Sequence, residues 1–202
     1  MPTATDTRQE AGTARERVVA AAYRLFQQHT LNTIGVDRIV AEAGVAKTTL
    51  YRHFESKHEL TVAVLAHHEQ QWLTGWLERV VAAAGPGPEE RLLALFDAFA
   101  EWFAREDYNG CLFARALLET PDRDSEVSRA ANAGLTKVRA LIRRVAEEGG
   151  ARDPDGLALQ LQLILLGSTV AAVAGERRAA AQAKDAARAL LEREGITATA
   201  PT

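Results

Sequence analysis

Residues 36–54 read VDRIVAEAGVAKTTLYRHF, and this stretch decides the fold of the first part of the chain. Its apolar residues recur at helical spacing on both sides of Gly44-Val45-Ala46, which predicts two short helices joined by a turn. Glycine takes the left-handed backbone conformation readily, so the first of these helices is expected to end at Gly44. In the second helix, Leu50 and Phe54 are expected to point inward. Two helices around a short glycine turn have the dimensions of a helix-turn-helix.

The outward face of the second helix carries side chains suited to nucleic acid. Lysine and arginine neutralise phosphate, while threonine and tyrosine hydroxyls hydrogen-bond backbone oxygens or base edges. The alternative interpretation is an ordinary solvated helix face, with Tyr51 partly in the core. The outward-facing residues are Lys47, Thr48, Thr49, Tyr51, Arg52 and His53.

Charge is unevenly distributed along the 202-residue chain. Residues 1–57 contain eight Lys/Arg and six Asp/Glu, a net charge of +2, whereas the remainder contains sixteen and twenty-one, a net charge of −5. The overall charge of −3 argues against a protein that coats nucleic acid indiscriminately. A basic head on an acidic body instead suits a protein that contacts phosphate at one end.

Signals for other classes of protein are weak. The chain has no phosphate-binding glycine loop, no His-Glu-x-x-His motif and no Gly-x-Ser-x-Gly elbow, so we expect neither an enzyme nor a cofactor. Adjacent residues such as His67 and His68 point about 100° apart on a helix, so no metal site is expected.

The longest apolar run, 163–174, is shorter than the roughly 20 residues of a membrane span. Without a signal-peptide pattern either, we expect a cytoplasmic protein with no membrane partner.

Residues 39–60, IVAEAGVAKTTLYRHFESKHEL, closely resemble the signature of the tetracycline-repressor (TetR) family. The likeness extends to residues 21–26, AAYRLF, and so covers about residues 14–65. The chain departs from the family at Thr30, where a glycine is usual, and at Ile34-Gly35, where a Thr-Ser or Thr-Thr pair is usual. A hydroxyl contact to phosphate at position 35 is therefore not expected.

This resemblance implies an all-α fold of about nine helices, and helical periodicity continues through the rest of the chain. A capping box at residues 56–59 is expected to begin the fourth helix. The helices after the third are predicted at 57 to about 85, 88 to about 106, 111–119, 125–148, 154 to about 174 and 176–194. The predicted divisions are a disordered tail (1–13), a three-helix DNA-binding head (14–60), an effector-binding and dimerisation bundle (61–196) and a second tail (197–202).

The family resemblance also implies how DNA would be read. Each protomer would present its third helix to the major groove, and a homodimer would read a palindromic operator with half-sites about 34–36 Å apart or slightly more. We expect Lys47, Thr48 and Thr49 nearest the bases, and Arg38 and Arg52 on either bases or phosphates. The residues expected on phosphates are Tyr51, His53 and Lys57, the last in the first turn of the fourth helix, where backbone N–H groups also bind anions.

Helices eight and nine are expected to form the dimer interface as a four-helix bundle. Helix eight is apolar nearly all round and rich in small residues, including Gly167, Ser168 and Ala171, which allow close helix approach. A monomer would leave too much of this apolar surface exposed to water.

An unknown small-molecule effector is the remaining expected partner, because aromatic and polar residues gather on helices four to six. Aromatics at helical spacing are equally typical of plain core, and Cys111 is either a small buried residue or a redox sensor. We hypothesise a repressor released by the effector; the alternatives are an activator without a ligand and a helical scaffold protein. The candidate ligand-binding residues are Trp72, Trp76, Phe96, Phe99, Trp102, Phe103, Cys111, Phe113 and Arg115.

Overall fold

The computed structural model describes residues 12–197, and within that range every regular element is a helix. The predicted all-α fold of nine helices is confirmed, if the three consecutive segments from Lys57 to Ala83 are counted as one helix. The helices are α1 (Ala14–Gln28), α2 (Val36–Ala43), α3 (Lys47–His53), α4 (Lys57–His68, Glu69–Leu77 and Glu78–Ala83), α5 (Pro88–Phe103), α6 (Leu112–Glu119), α7 (Glu126–Glu148), α8 (Pro154–Val173) and α9 (Ala179–Glu194).

Local signals account for the ends of the first helices. The Thr13 hydroxyl accepts from the Glu16 N–H, and the Glu16 carboxylate accepts from the Thr13 N–H, which together cap α1. The Ser56 hydroxyl caps α4 by accepting from the Glu59 N–H at 3.1 Å. The Glu59 carboxylate, however, accepts from the N–H of Glu55 at 2.6 Å, so only half of the predicted capping box is formed.

Helix α4 changes its hydrogen-bonding pattern part-way along. Its middle segment, Glu69–Leu77, is π-helical, and regular α-helical bonding resumes over Glu78–Ala83. Extended π-helical segments are rare and are found disproportionately at functional sites. The helix ends at Ala83, two residues before the predicted Gly85.

The chain divides into two compact units. The first contains the described residues up to Trp72 together with Leu112–Gly134, and the second contains Leu73–Cys111 together with the described residues from Leu135 onward. Both α4 and α7 contribute to each unit, so the division does not follow the predicted boundary between residues 60 and 61. The predicted head and body therefore stay a prediction, and most of the two predicted tails (1–11 and 198–202) lies outside the described residues.

The core of the first unit lies around α1, which packs against α2, α3 and the first segment of α4. Its largest fully buried side chains include Phe26, Leu50, Phe54, Leu60 and Phe113. Leu50 and Phe54 are buried as predicted, and they seat α3 on this core. Because α3 is only seven residues long, such tertiary packing rather than intrinsic helix propensity holds it.

The second unit is built around α9, which packs against α5 and α8. Leu157, Leu161 and Leu165 bury one face of α8, and Lys184 on α9 forms an ion pair with Asp97 on α5 at 2.6 Å. Among the described residues, α8 is the helix whose length and composition would allow it to cross a membrane, a test that core helices of soluble proteins also pass.

Candidate DNA interface and effector-binding residues

The turn of the helix-turn-helix is closed by backbone hydrogen bonds. Gly44 adopts the left-handed conformation, with φ of 62°, and its N–H donates to Ala41 O at 3.3 Å. The N–H of Val45 donates to Val40 O at 3.1 Å, which completes the paired bonds of a Schellman motif. The predicted end of α2 at Gly44 is therefore confirmed, and α3 begins three residues later at Lys47.

The predicted reading face of α3 is open to solvent. Lys47, Thr48 and Arg52 are exposed, and Thr49 and His53 are partly exposed. Tyr51 is 48% exposed, so its side chain stands outside the core and its hydroxyl is accessible. Behind this face, the Arg15 guanidinium lies 5.1 Å from the centre of the buried Phe54 ring.

Lys47 is paired with an acidic residue on the preceding helix. Its ammonium lies 2.7 Å from the carboxylate of Asp37 on α2, and both side chains are exposed. The hydrogen bond and the charge of Asp37 raise the pKa of Lys47 above its usual value. A phosphate approaching Lys47 must therefore compete with a carboxylate already in place.

Arg38 and Lys57 both contact the segment that links α1 to α2, which we call the 29–32 turn. A terminal nitrogen of Arg38 lies 2.8 Å from His29 Nε2. The Lys57 ammonium donates to Leu31 O at 2.6 Å. Burial lowers the pKa of Lys57, and the charge of Glu119 opposes this shift.

Helix α6 binds the same turn through two charged side chains. The Arg115 guanidinium donates to Phe26 O at 3.0 Å and to His29 O at 2.5 Å. The Glu119 carboxylate accepts from the Leu31 N–H at 2.5 Å, and Glu119 O accepts from the Asn32 side chain at 2.9 Å. These contacts tie Arg115 to the backbone at the end of α1, and its expected role in ligand binding stays a prediction.

Two of the candidate ligand residues, Trp72 and Phe113, surround a histidine that the sequence did not single out as a ligand residue. His68 is fully buried, with ring centres 5.5 Å from Trp72 and 4.7 Å from Phe113. Its Nδ1 lies 3.1 Å from the Tyr23 hydroxyl, while its Nε2 has no hydrogen-bond partner in the described structure. Burial lowers the pKa of His68 to about 3, so the ring is neutral at physiological pH.

The remaining ligand candidates lie in the second unit. Tyr108, which sequence reasoning missed, packs its ring against Trp102 and Phe103 and donates its hydroxyl hydrogen to Thr169 O at 2.9 Å. Burial raises the pKa of this hydroxyl. Phe103 is partly exposed, and the other candidates in this unit are buried: Trp76, Phe96, Phe99, Trp102 and Cys111.

Comparison with known proteins identifies the family. Residues 18–64 match the bacterial regulatory proteins of the tetR family, and residues 88–190, about half of the chain, match the tetracycline-repressor-like C-terminal domain. The chain belongs to the TetR family of helix-turn-helix transcription regulators. The resemblance recognised in residues 39–60 is thus confirmed. All eight predicted DNA-contacting residues lie within the first TetR match, whereas Trp72 and Trp76 lie outside both.

The proteins similar to this chain include both solved TetR structures and transcription regulators of known effect. A TetR-type regulator from Streptomyces avermitilis superposes with a TM-score of 0.82 at 30% identity, covering 92% of this chain and all of that one. The transcriptional activator FasR of Mycolicibacterium smegmatis is 32% identical over 132 residues, which cover 64% of this chain and 59% of the activator. The repressor NemR of Escherichia coli K12 is 26% identical over 136 residues, covering 67% of this chain and 68% of the repressor. The match thus spans less than two thirds of the activator's length.

Proposed function

We propose that the protein is a dimeric transcription repressor that reads a palindromic operator through α3 and releases it when a small molecule binds. The main support for this proposal is the exposed polar face of α3. The buried Leu50 and Phe54 hold this helix on the core, and a Schellman motif ends the helix before it. As the sequence suggests, Lys47, Thr48 and Thr49 contact bases. Arg38 and Arg52 contact either bases or phosphates, and Tyr51, His53 and Lys57 contact phosphates. Such a protein acts in the cytoplasm, where the chromosome lies.

A gel shift tests this function against the alternative of a helical scaffold that has lost DNA binding. The full-length protein is titrated into duplex DNA from the region upstream of its own gene, with unrelated DNA of equal length as competitor. A repressor shifts the upstream fragment at protein concentrations that leave the competitor free. A scaffold shifts neither. Because one named relative is an activator, a reporter with the operator inside the promoter then decides between repression and activation.

Removing the carboxylate of Asp37 is expected to strengthen DNA binding. Asp37→Asn frees Lys47 from its 2.7 Å ion pair and removes a negative charge beside the reading face. Exposed ion pairs contribute about 0.2–1 kcal/mol, so we expect operator affinity to rise by about 2- to 30-fold for the two protomers together. Fluorescence anisotropy at fixed ionic strength measures the change. Glu55→Asn, at an exposed acidic position after α3, is the control; weaker binding by Asp37→Asn would argue that Asp37 positions Lys47 for DNA.

The proposed dimer interface is the solvent-exposed face of α8. At about 100° per residue, Leu159, Leu163, Val170 and Val173 fall on one side of the helix, opposite the buried Leu161 and Leu165. Leu163 is 58% exposed and Val170 is 66% exposed, which is unusual for four apolar side chains in one stripe. A second copy of this face, related by a two-fold axis, would cover the stripe, with α9 packing beside it.

The cluster around His68, Trp72 and Phe113 is the proposed effector contact in the first unit. The Tyr23 hydroxyl shares a hydrogen bond with Nδ1, and the tautomer of the neutral ring decides which of the two atoms donates. In either tautomer, Nε2 is the ring nitrogen without a hydrogen-bond partner in the described structure. A buried polar atom without a hydrogen-bond partner costs about 1–3 kcal/mol, which a polar group of the ligand would recover. This arrangement favours a neutral, mostly apolar effector with one polar group that hydrogen-bonds Nε2.

The neutral state of His68 predicts a pH dependence of stability. The unfolded chain binds a proton at this residue with a pKa near 6.5, whereas the folded protein resists it until about pH 3. Protonation of His68 therefore leaves the free energy of unfolding unchanged above pH 6.5. As the pH falls from 6.5 toward 3, this protonation lowers the free energy of unfolding by up to about 1.4 kcal/mol per pH unit. His68→Phe, which fills the same space without a titrating group, should remove that part of the slope.

Urea unfolding of wild type and His68→Phe between pH 7.5 and about pH 5 measures this difference, since most carboxylates stay ionised there. His58→Phe, at an exposed histidine of the same helix, is the matched control and should keep the wild-type slope. Equal slopes in wild type and His68→Phe would mean that His68 is hydrated, and the proposed effector contact would lose its main support.

A further inference from the structure

The 29–32 turn is held by charged groups from two helices of the first unit. Arg115 binds carbonyl oxygens of Phe26 and His29, and Glu119 binds the N–H of Leu31. On the other side of the same peptide segment, Leu31 O accepts from Lys57. An unbroken series of hydrogen bonds thus runs from α6, through the backbone of the turn, to the first turn of α4.

Burial makes these contacts stronger than surface pairs of the same kind. The side chains of Arg115 and Glu119 are only 17% and 18% exposed, and their charged groups lie 3.6 Å apart. Hydrogen bonds with an ionised partner are about twice as strong as neutral ones, and here they bind backbone groups that the end of α1 leaves unsatisfied. The turn therefore cannot move relative to α6 without breaking several charge-assisted bonds.

We propose that Arg115 and Glu119 are positioning residues for the DNA phosphate that Lys57 binds, an inference that rests on the proposed DNA-binding function. A lysine side chain is a flexible chain of four carbons that ends in an ammonium group with three N–H donors. One donor is fixed on Leu31 O at 2.6 Å, which holds the ammonium in place and leaves two donors for a phosphate at the start of α4. If the turn shifts, Lys57 loses this anchor, although nothing on α6 touches DNA.

The same helix also reaches the proposed effector contact. Phe113 lies on α6, two residues before Arg115, and its ring contacts the buried His68. The ring also fills the space above Gly134, where an added Cβ would lie only 2.3 Å from a Phe113 carbon. A ligand that pushes on the Phe113 ring therefore pushes on α6, and α6 carries the two side chains that hold the turn.

Salt dependence of DNA binding separates positioning from general stabilisation. The logarithm of the binding constant falls with the logarithm of salt by about 0.9 for each phosphate contact, so losing one contact per protomer reduces the slope of a dimer by about 1.8. Anisotropy titrations at several salt concentrations use the full-length protein and an operator selected in vitro from random duplexes. The variants are Lys57→Met, Arg115→Met and the double variant.

Arg115→Met is expected to reduce the slope as much as Lys57→Met does, and the double variant to reduce it no further. Arg123→Met is the matched control, because Arg123 also binds a carbonyl at the end of α6, that of Leu117, without touching the turn. It should keep the wild-type slope. If Arg115→Met keeps the salt slope of the wild-type protein, even while it binds DNA more weakly, the positioning role is overturned. If the wild-type protein selects no operator at all, the proposed DNA-binding function itself is rejected.

A milder variant covers the case in which Arg115→Met does not fold. Glu119→Gln keeps an acceptor for the Leu31 N–H but removes the charge beside Lys57. Hydrogen exchange at the Leu31 amide should become faster in this variant, and the salt slope should fall in the same protein. An unchanged salt slope would contradict the proposal, whether or not the exchange rate changes.

Discussion

Replacing Lys47 and Arg52 together by alanine is expected to weaken operator binding by about a thousandfold. Each side chain that contacts DNA contributes at least about 1 kcal/mol, and a dimer loses four of them, which corresponds to about three decades in affinity. Both residues are exposed, and of the two only Lys47 forms an ion pair within the described residues, so the free energy of unfolding should change by no more than about 1 kcal/mol. Anisotropy on an operator selected in vitro, with urea unfolding in parallel, measures both quantities.

Arg79→Ala is the control for loss of a positive charge, because Arg79 is exposed on the last segment of α4, outside the helix-turn-helix. It should bind the operator like wild type. If the operator affinity of the Lys47/Arg52 double variant is within about threefold of wild type, these residues of α3 do not form the DNA-reading face.

Leu163→Asp is expected to split the dimer. The two-fold axis brings both copies of the substituted residue into one interface, where desolvating each unpaired carboxylate costs several kcal/mol. The mass in solution should fall to the monomer value of 21.9 kDa at micromolar concentration. Operator affinity should fall with it, because two linked recognition helices bind far more tightly than one. Light scattering after size exclusion gives the mass.

Leu118→Asp is the matched control, since Leu118 is 77% exposed on α6 in the first unit. This variant should stay dimeric. A dimeric Leu163→Asp protein would show that the exposed stripe of α8 is covered by something other than a second copy, and the proposed geometry of the paired recognition helices would have to be abandoned.

The helix-turn-helix could be predicted from sequence because its determinants are local. Gly44 ends α2 through its own conformational freedom, and the spacing of Leu50 and Phe54 sets the buried side of α3. The predicted exposed residues of α3 follow directly from that spacing. Prediction was weaker at the Ser56 cap, where Glu59 reaches the N–H of Glu55 rather than that of Ser56. Neighbouring backbone donors compete for one carboxylate, and sequence spacing alone does not decide between them.

The contacts of α6 could not be predicted in the same way. Glu119 and Leu31 are 88 residues apart in the chain, and no pattern near either residue signals the other. From sequence, Arg115 is expected only to be a polar residue near the proposed effector site, and its contacts with the end of α1 are not foreseen. His68 was considered only as a possible metal ligand beside His67, because its burial depends on Phe113, which lies in a distant part of the chain.

Two further features depend on packing that periodicity does not describe. The π-helical segment of α4 has the same apolar spacing as an ordinary helix, so the sequence predicts only a continuous helix. The exposed stripe of α8 was visible only as general apolarity, since its sequence does not separate core positions from positions on a second apolar face.

Protection of guanine N7 from methylation tests the central claim most directly, because this atom lies in the major groove. The wild-type dimer is bound to an operator selected in vitro, and each strand is then methylated and mapped. Insertion of α3 from both protomers predicts two symmetric protected patches separated by about one helical turn, roughly 34–36 Å. Unchanged guanine N7 reactivity across a bound, guanine-containing operator would contradict it.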